Sequence, residues 1–369
     1  MKISYVHSIC VRNDAISNSI REEIDWLQRF GGHDVRLFAY ECNAGGVPFS
    51  KVSSIGELLS DPYFLSSDVV VFHFGIYYPL FDLLPMVPRR AKKLVVFHNV
   101  TPPEFVSVAQ RPVMERSFQQ LHNISWADQV ICISKTNAEV LRSHHIRRPM
   151  SVVPLPVHSS IQAPKEKPGF QDGVTRLLFI GRFTRSKGVH ELLDALLQLA
   201  ESGAPAGALQ IDLVGNLQFS DAELVDQVRA QCEMLNAIKS VSATLHGNVA
   251  EAGKLELLNR ADVFVLPTYH EGFCVPILEA LAAGCRIVAY DNSNVREICG
   301  GLGRLVPTGD VQELALSIAG GISHVGDDAW NQGAATVARI VADLAAEGLL
   351  TPEEVVDVQI RRAEHGYPI

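Results

Sequence analysis

The fold is decided by residues 261–284, which read ADVFVLPTYHEGFCVPILEALAAG. The continuous apolar run Val263–Leu266 ends at Pro267, which is typical of a short strand buried on both faces. A polar loop follows, and after it comes an apolar run from Val275 to Ala282 with the length of a buried helix. Strand, loop and buried helix in this order predict a parallel sheet covered by helices.

The same alternation of strands and helices runs through the rest of the chain. In the second half it predicts further strands at Leu177–Ile180, Ile211–Val214, Ala243–His246 and Ile287–Ala289, and helices at Val189–Glu201, Asp221–Ile238 and Lys254–Arg260. In the first half it predicts strands at Ile3–Val6, Val35–Tyr40, Val69–Phe72, Leu94–Phe97, Val130–Ile133 and Val152–Val153, and helices at Ser17–Phe30 and Lys135–His144. We therefore expect an α/β protein.

Two domains are predicted, because the alternation stops at the proline-rich stretch Pro154–Gly173 and then restarts. We expect a Rossmann-like domain over residues 1–165, a second over 166–345, and a helical tail over 346–369 that packs back on the first domain. Helical patterns at Trp330–Glu347 and Thr351–His365 lead into and form this tail. Doubly wound parallel sheets bind ligands at the carboxyl ends of their strands, so two facing domains of this kind would enclose a central cleft.

Composition restricts the class of protein. Of the 369 residues, 47% are hydrophobic and 20% are charged, so the chain can bury large cores. The net charge of −9 argues against a nucleic-acid partner, because phosphate backbones are bound by clustered Lys and Arg. The seven cysteines are scattered and contain no Cys-x-x-Cys pair, so we expect reduced structural thiols.

A cytoplasmic location is expected, because the strand-like start Met1–Val6 soon becomes polar and no apolar run reaches transmembrane length. One basic cluster consists of Arg89, Arg90, Lys92 and Lys93. Such a cluster is typical of a solvated loop. The alternative is peripheral contact with the inner face of an anionic membrane that carries a lipid-linked acceptor.

A basic loop follows the predicted strand Leu177–Ile180 and precedes a predicted helix. Residues 181–188 read GRFTRSKG and contain Arg182 and Lys187. Cations at the carboxyl end of a strand, beside a helix N-terminus, suit a diphosphate. A solvated basic loop is the alternative, and the spacing does not match a Walker A motif.

Two carboxylates, Glu271 and Glu279, lie eight residues apart around the start of the predicted helix. At that spacing a loop carboxylate and a helical carboxylate can face the same ligand and accept hydrogen bonds from its hydroxyls. An acid flanked by apolar residues, as Glu279 is, would be costly to bury without a partner. Two alternatives exist. Glu271 alone can be a partner of the helix dipole, and a pair of acids can also indicate a glycoside hydrolase.

Together these motifs resemble those of glycosyltransferase family 4. Arg182 and Lys187 match its Arg-x4-Lys pattern, and Glu271 and Glu279 match its Glu-x7-Glu pattern. The resemblance covers nearly the whole second half of the chain. It implies the GT-B fold, with two Rossmann-like domains, and transfer with retention of the anomeric configuration.

The resemblance implies a role for each matching residue. Arg182 and Lys187 would hold the donor diphosphate, Glu271 the donor sugar, and Glu279 the ribose. Further donor-binding positions would be Gly181, Gly215, Asn248, Val249, Gly272, Phe273, Cys274 and Val275, with Gly215, Asn248 and Val249 near the base. His98, after the strand Leu94–Phe97, would reach the sugar and complete the catalytic set.

Some positions fit the resemblance less directly. His98 is equally explained as a histidine hydrogen-bonded by the local backbone, and His73 is a weaker candidate for the same role. The first strand-to-helix turn, around residues 12–18, lacks the glycine pair that lets the backbone approach the donor in many family members. Cys274 stands where a glycine is common, and Arg286 where a proline often occurs.

The expected function is therefore transfer of a sugar from a UDP-, GDP- or ADP-linked donor to a saccharide or lipid-linked saccharide, in the synthesis of cell-surface polysaccharide or glycoconjugate. No cofactor is expected beyond this co-substrate, and no Asp-x-Asp motif indicates a divalent metal. The alternatives are a nucleotide-sugar epimerase on the same fold and a non-catalytic sugar-nucleotide-binding protein. A nicotinamide dehydrogenase would need a Gly-x-Gly-x-x-Gly turn, which neither half contains.

Overall fold

The computed structural model describes residues 1–11, 14–153, 155, 173–203 and 207–323. These residues form two compact α/β units. The first unit contains the described residues of 1–103 and 109–155, and the second those of 104–108 and 173–323. The predicted linker Pro154–Gly173 lies almost entirely outside the described residues, and the predicted tail lies wholly outside them.

The first unit is built on a seven-stranded parallel sheet, beside which lies a separate two-stranded ladder. The strands of this unit are β1 (Lys2–Val6), β2 (Ile9–Cys10), β3 (Asp34–Ala39), β4 (Glu41–Cys42), β5 (Phe49–Lys51), β6 (Val69–Phe74), β7 (Lys92–Phe97), β8 (Gln129–Cys132) and β9 (Met150–Val152). The sheet order is β5-β3-β1-β6-β7-β8-β9, and β2 pairs with β4. Every residue of β6 is buried, as expected for a central parallel strand.

Five α-helices belong to the first unit: α1 (Ala15–Arg29), α2 (Ile55–Leu59), α3 (Pro62–Leu65), α4 (Arg111–Gln120) and α5 (Lys135–Ser143). The longest, α1, begins where the Asp14 carboxylate accepts a hydrogen bond from the Ser17 backbone N–H at 2.8 Å. Its apolar stripe of Ile20, Ile24 and Leu27 has helical spacing and is buried.

The second unit is built on a six-stranded parallel sheet. Its strands are β10 (Val174–Ile180), β11 (Ala208–Val214), β12 (Val241–Gly247), β13 (Val263–Leu266), β14 (Arg286–Tyr290) and β15 (Gly303–Val306). Its helices are α6 (Val189–Glu201), α7 (Ala222–Asn236), α8 (Glu251–Arg260), α9 (Val275–Ala282), α10 (Val295–Cys299) and α11 (Val311–Ser323). The sheet order is β12-β11-β10-β13-β14-β15.

Each sheet has a point at which its strand order reverses. In the first unit the chain moves outward from β1 to β5 and then returns to β6, on the other side of β1. In the second unit it moves outward from β10 to β12 and returns to β13. Doubly wound sheets bind ligands outside the carboxyl ends of the strands at such a point. The loops after β10 and β13 therefore form the first candidate region, and the carboxyl ends of β1 and β6 the second.

Every predicted strand corresponds to an observed strand, with ends that differ by no more than three residues. Six of the predicted helices are found as α1, α5, α6, α7, α8 and α9, and those predicted at Trp330–Glu347 and Thr351–His365 lie outside the described residues. Strand β15 was not predicted, because its sequence Gly-Arg-Leu-Val has too short an apolar run to indicate a strand, and neither were the short strands β2, β4 and β5.

All seven cysteines lie among the described residues, and none of them is disulfide-bonded. Six are buried and Cys42 is partly exposed. Within the described part of the chain, no helix combines the length and the apolar character needed to cross a bilayer.

Gly188 lets the loop after β10 touch the loop after β13. Its φ is 61°, in the left-handed region that favours glycine. A Cβ atom at this position would lie 2.0 Å from the carbonyl oxygen of Pro267, closer than any real contact. The left-handed backbone and the lack of space for a Cβ atom therefore both require glycine at this position.

Replacing Gly188 with alanine is expected to destabilise the protein by about 3 kcal/mol or more, because left-handed strain and a backbone clash add together. Gly203→Ala is the matched control, since Gly203 has a φ of 76° and nothing within 4 Å of the added Cβ. The control should lose only about 1 kcal/mol. Urea unfolding measures both free energies, and equal losses would contradict the close approach of Gly188 to Pro267.

Candidate functional site

Two hydrogen bonds hold the loop after β10 against the loop after β13. The carbonyl oxygen of Ser186 accepts from the backbone N–H of Tyr269 at 2.8 Å and from Oγ1 of Thr268 at 3.0 Å. Lys187 follows Ser186 directly, and Glu271 lies two residues beyond Tyr269. The backbone contacts therefore bring the basic and acidic motifs to one place.

Lys187 and Glu271 form an ion pair at this place. The Lys187 Nζ atom lies 2.6 Å from Glu271 Oε1, and the two side chains are 17% and 10% exposed. Arg182, on the same loop as Lys187, is exposed and has no ion-pair partner among the described residues. Two cations and a carboxylate at the end of a sheet can receive a ligand with both phosphate and hydroxyl groups.

The second motif carboxylate, Glu279, lies inside α9 and is 3% exposed. Its Oε1 atom accepts a hydrogen bond from Nζ of Lys254 at 2.7 Å. Lys254 belongs to α8 and also pairs with Glu251 at 3.0 Å. Burial is the largest single influence and lowers the pKa of Lys254, but the carboxylates of Glu279 and Glu251 together outweigh it, and the pKa lies above its ordinary value. The pair stabilises a buried charge and leaves Oε2 of Glu279 without a partner among the described residues.

The loop between the two carboxylates is shaped by Cys274 and Asn294. Cys274 has a φ of 76°, a left-handed conformation that a glycine would adopt without strain, and it immediately precedes α9 at Val275. Asn294 Nδ2 donates to the carbonyl oxygens of Phe273 at 2.7 Å and Gly272 at 3.3 Å. These bonds fix the path of the backbone between Glu271 and the helix.

The other predicted donor-binding residues lie at the carboxyl edge of the same sheet. A Cβ at Gly215, after β11, would lie 2.1 Å from the carbonyl oxygen of Gly181, after β10, so the two turns touch. Asn248 and Val249 come between β12 and α8, and Asn248 is exposed whereas Val249 is half-buried. The second unit thus gathers all of its predicted site residues at one edge.

The predicted sugar-binding histidine, His98, lies in the first unit directly after β7. Its Nε2 atom is 2.9 Å from Nδ1 of His73 in β6, and Nε2 of His73 is 3.1 Å from Oε2 of Glu23 in α1. Its ring is therefore bonded to another side chain, not to the local backbone. Burial, and after it the nearby His73 and His7, holds the pKa of His98 well below its ordinary value, so the ring is neutral near pH 7.

Sequence comparison identifies the second unit. Residues 174–323 match the protein family described as Glycosyl transferases group 1. The second unit is a group 1 glycosyltransferase domain. The glycogen synthase of Mycobacterium tuberculosis is 33% identical over 203 residues, which are 52% of this chain and 44% of that protein. The phosphatidyl-myo-inositol mannosyltransferase of the same organism is 34% identical over 153 residues, which are 40% of this chain and 37% of that protein. The aligned segments thus span less than half of either relative.

Comparison of structures extends the likeness to the whole chain. The Anabaena protein HepE, solved in complex with UDP and glucose, superposes with a TM-score of 0.71 and 18% identity. The superposition covers 99% of this chain and 100% of that protein. At this level of identity the likeness concerns the fold, which is GT-B.

The group 1 glycosyltransferase domain contains site residues that the motifs did not predict. Lys254 and Asn294 hold Glu279 and the loop before α9, but each lies well away in sequence from its partner. In the first unit, Glu23 was also missed. Among the described residues, no group of three His, Cys, Asp or Glu side chains is arranged to hold a metal ion.

The basic cluster of the first unit lies at the start of β7. Arg89 and Arg90 are exposed, and Arg90 donates to the carbonyl oxygen of Leu65 at 2.6 Å. Lys93 Nζ lies 3.8 Å from Oδ2 of Asp128. One of the cations is thus paired, and contact of the cluster with a membrane stays a prediction.

Removing the partner of Glu279 is expected to destabilise the protein. Lys254→Met keeps the aliphatic length but leaves a buried carboxylate without its cation, at a cost of about 3 kcal/mol. Glu251→Ala is the matched control, because it removes the other partner of Lys254. The Glu251 side chain is 56% exposed, so this variant should cost no more than about 1 kcal/mol. Urea unfolding measures both. A loss in Lys254→Met as small as that of the control would show that Glu279 does not depend on this pair.

The buried His7 is expected to make the protein acid-sensitive. Burial, and after it the electrostatic influence of the neighbouring His73, lowers the pKa of His7 to about 4, whereas an unfolded histidine titrates near 6.5. The unfolded state therefore binds more protons between these values, and stability is lost as the pH falls from about 6.5 to about 4, by an amount on the order of 3 kcal/mol.

His7→Asn should flatten this part of the pH profile. An asparagine amide can still donate to the carbonyl oxygen of His73, as Nδ1 of His7 does at 3.0 Å, but it does not titrate. Unfolding free energies of both proteins, measured from pH 7 down to about pH 4, make the comparison. Parallel profiles would mean that His7 is not the group whose lowered pKa causes the loss of stability in acid.

Proposed function

We propose that the protein is a retaining, metal-independent glycosyltransferase that moves a sugar from a nucleotide-diphosphate sugar to a saccharide or lipid-linked saccharide. The Lys187–Glu271 ion pair carries this proposal, because it places a cation and a carboxylate together at the reversal point of the second sheet. The group 1 domain and the GT-B fold support it. The HepE structure, which holds UDP and glucose, is an example of a protein of this fold that binds such ligands.

Lys187 and Arg182 are assigned to the diphosphate. Negative charge grows on the diphosphate as the bond to the sugar breaks, and fixed cations at that point lower the barrier without a metal ion. In this proposal Lys187 exchanges its contact with Glu271 for a phosphate oxygen. Glu271 is then available to accept hydrogen bonds from sugar hydroxyls.

Glu279 is assigned to the ribose of the donor. One of its oxygens is held by Lys254, and the other is available to accept hydrogen bonds from the ribose hydroxyls. The carboxylate therefore meets the ribose in a fixed orientation, which lowers the entropy lost on binding. As the bond between the sugar and the diphosphate breaks, the leaving phosphate accepts the proton of the acceptor hydroxyl that attacks the sugar.

The first measurement is the melting temperature with UDP, GDP and ADP and with their common sugar conjugates. A ligand that binds only the folded protein raises its stability, by about 2.7 kcal/mol at a hundredfold excess over Kd. We expect one nucleotide to raise the melting temperature by several degrees. Lys187→Met and Glu279→Gln should each abolish most of that shift.

Lys239→Met is the matched control, because Lys239 is an exposed lysine of the second unit that precedes β12 at the opposite edge of the sheet. It should keep the full shift. Product analysis with the stabilising donor then separates the reactions: transfer forms a new glycoside, and an epimerase forms an isomeric nucleotide sugar. The absence of a shift with every nucleotide would overturn the proposal.

A further inference from the structure

A buried chain of three side chains runs from α1 to the end of β7 in the first unit. Oε2 of Glu23 lies 3.1 Å from Nε2 of His73, and Nδ1 of His73 lies 2.9 Å from Nε2 of His98. The side chains of Glu23 and His73 are 1% and 0% exposed, whereas His98 is only partly buried. The chain thus connects an interior carboxylate to a histidine that a ligand can reach.

The other partners of Glu23 set the direction of these hydrogen bonds. The Tyr5 hydroxyl donates to Oε2 at 3.0 Å, and the Ser19 hydroxyl donates to Oε1 at 2.9 Å. A carboxylate only accepts hydrogen bonds, so Nε2 of His73 carries the proton in its bond to Glu23. The Nδ1 atom of a neutral His73 then accepts a hydrogen bond, and its donor is the Nε2–H group of His98.

His98 consequently has one defined tautomer. A neutral imidazole carries a single N–H group, and in His98 that group is used by His73. Nδ1 of His98 is left as a hydrogen-bond acceptor, and it has no partner in the part of the chain that the structure describes. Gly75 leaves room for the His98 side chain, because a Cβ atom at residue 75 would lie only 3.2 Å from Cβ of His98.

Asn99, the next residue in the chain, has a second polar group without a partner among the residues that the structure describes. It is only 5% exposed, yet its Nδ2 atom has no hydrogen-bond partner among the described residues. Buried polar atoms without partners are rare in folded proteins and point to a missing ligand or water.

We propose that Glu23 and His73 are positioning residues that fix His98 in its Nε2–H tautomer, so that His98 Nδ1 accepts a hydrogen bond from a hydroxyl of a bound saccharide. The saccharide rests on the proposed function. The tautomer is a property of the free protein and can be measured without any substrate. Neither Glu23 nor His73 touches the ligand; both act through His98.

Glu23→Leu tests the chain, because leucine offers no acceptor to Nε2 of His73. His73 can then carry its proton on Nδ1 and donate to Nε2 of His98. In that arrangement the proton of His98 is on Nδ1, where it faces the ligand. Nitrogen NMR of the full chain labelled with 15N-histidine reports the tautomer, with His98→Asn used to assign the signals.

We expect His98 to carry its proton on Nε2 in the wild-type protein and to populate the Nδ1–H tautomer in Glu23→Leu. The variant should lose roughly ten- to hundredfold in kcat/KM, the range of one hydrogen bond to a buried group. The melting-temperature shift caused by the nucleoside diphosphate should not change, because that ligand is assigned to the second unit.

Two further variants separate positioning from folding. His73→Phe keeps an aromatic ring but has no ring nitrogen, so His98 loses its acceptor; the variant should release the tautomer and lower kcat/KM as Glu23→Leu does. Ser19→Ala removes a different hydrogen bond from the same carboxylate and should leave both the tautomer and kcat/KM unchanged.

An unchanged His98 tautomer in Glu23→Leu and His73→Phe would overturn the proposal, as would a changed tautomer with unchanged kcat/KM. Failure of the proposed function gives a different result: the wild-type protein would then show no nucleotide-dependent shift and no transfer, while the tautomer measurement would still report on the chain.

Discussion

The contact between Gly188 and the carbonyl oxygen of Pro267 places the loops after β10 and β13 against each other, and the site of the second unit depends on it. Ser186, just before Gly188, uses its carbonyl oxygen to bind the loop that carries Glu271. These backbone contacts put Lys187 at 2.6 Å from Glu271. A side chain at residue 188 would separate the loops and remove that ion pair from the end of the sheet.

Both units keep a carboxylate in a buried position, and each does so by giving it partners. Glu279 is held by the ammonium group of Lys254, and Glu23 by the donors Tyr5, Ser19 and His73. A buried carboxylate without such partners would lose the stabilisation it has in water and cost several kcal/mol. The partners also restrict the orientation of the carboxylate. In the second unit this orients a proposed ligand contact, and in the first unit it orients the histidine chain.

Much of the fold could be predicted because parallel strands buried on both faces are short continuous apolar runs, which the sequence shows directly. The position of the site could be predicted from Lys187, Glu271 and Glu279, since their spacing relative to a strand and a helix matches a known pattern. The partners Lys254 and Asn294 could not, because each belongs to a different element of the second unit. Glu23 did leave a signal: it falls on the buried face of α1 between Ile20 and Ile24.

The sequence by itself determined the alternation of strands and helices, and with it the two parallel sheets and the edge at which we propose that ligands bind. Local apolar periodicity is enough for this, because the pattern of burial within one strand or helix is written in consecutive residues. Only the tertiary structure decided which charges meet. Ion pairs and histidine tautomers depend on distances of about 3 Å between residues far apart in sequence, and strand order and helix packing set those distances.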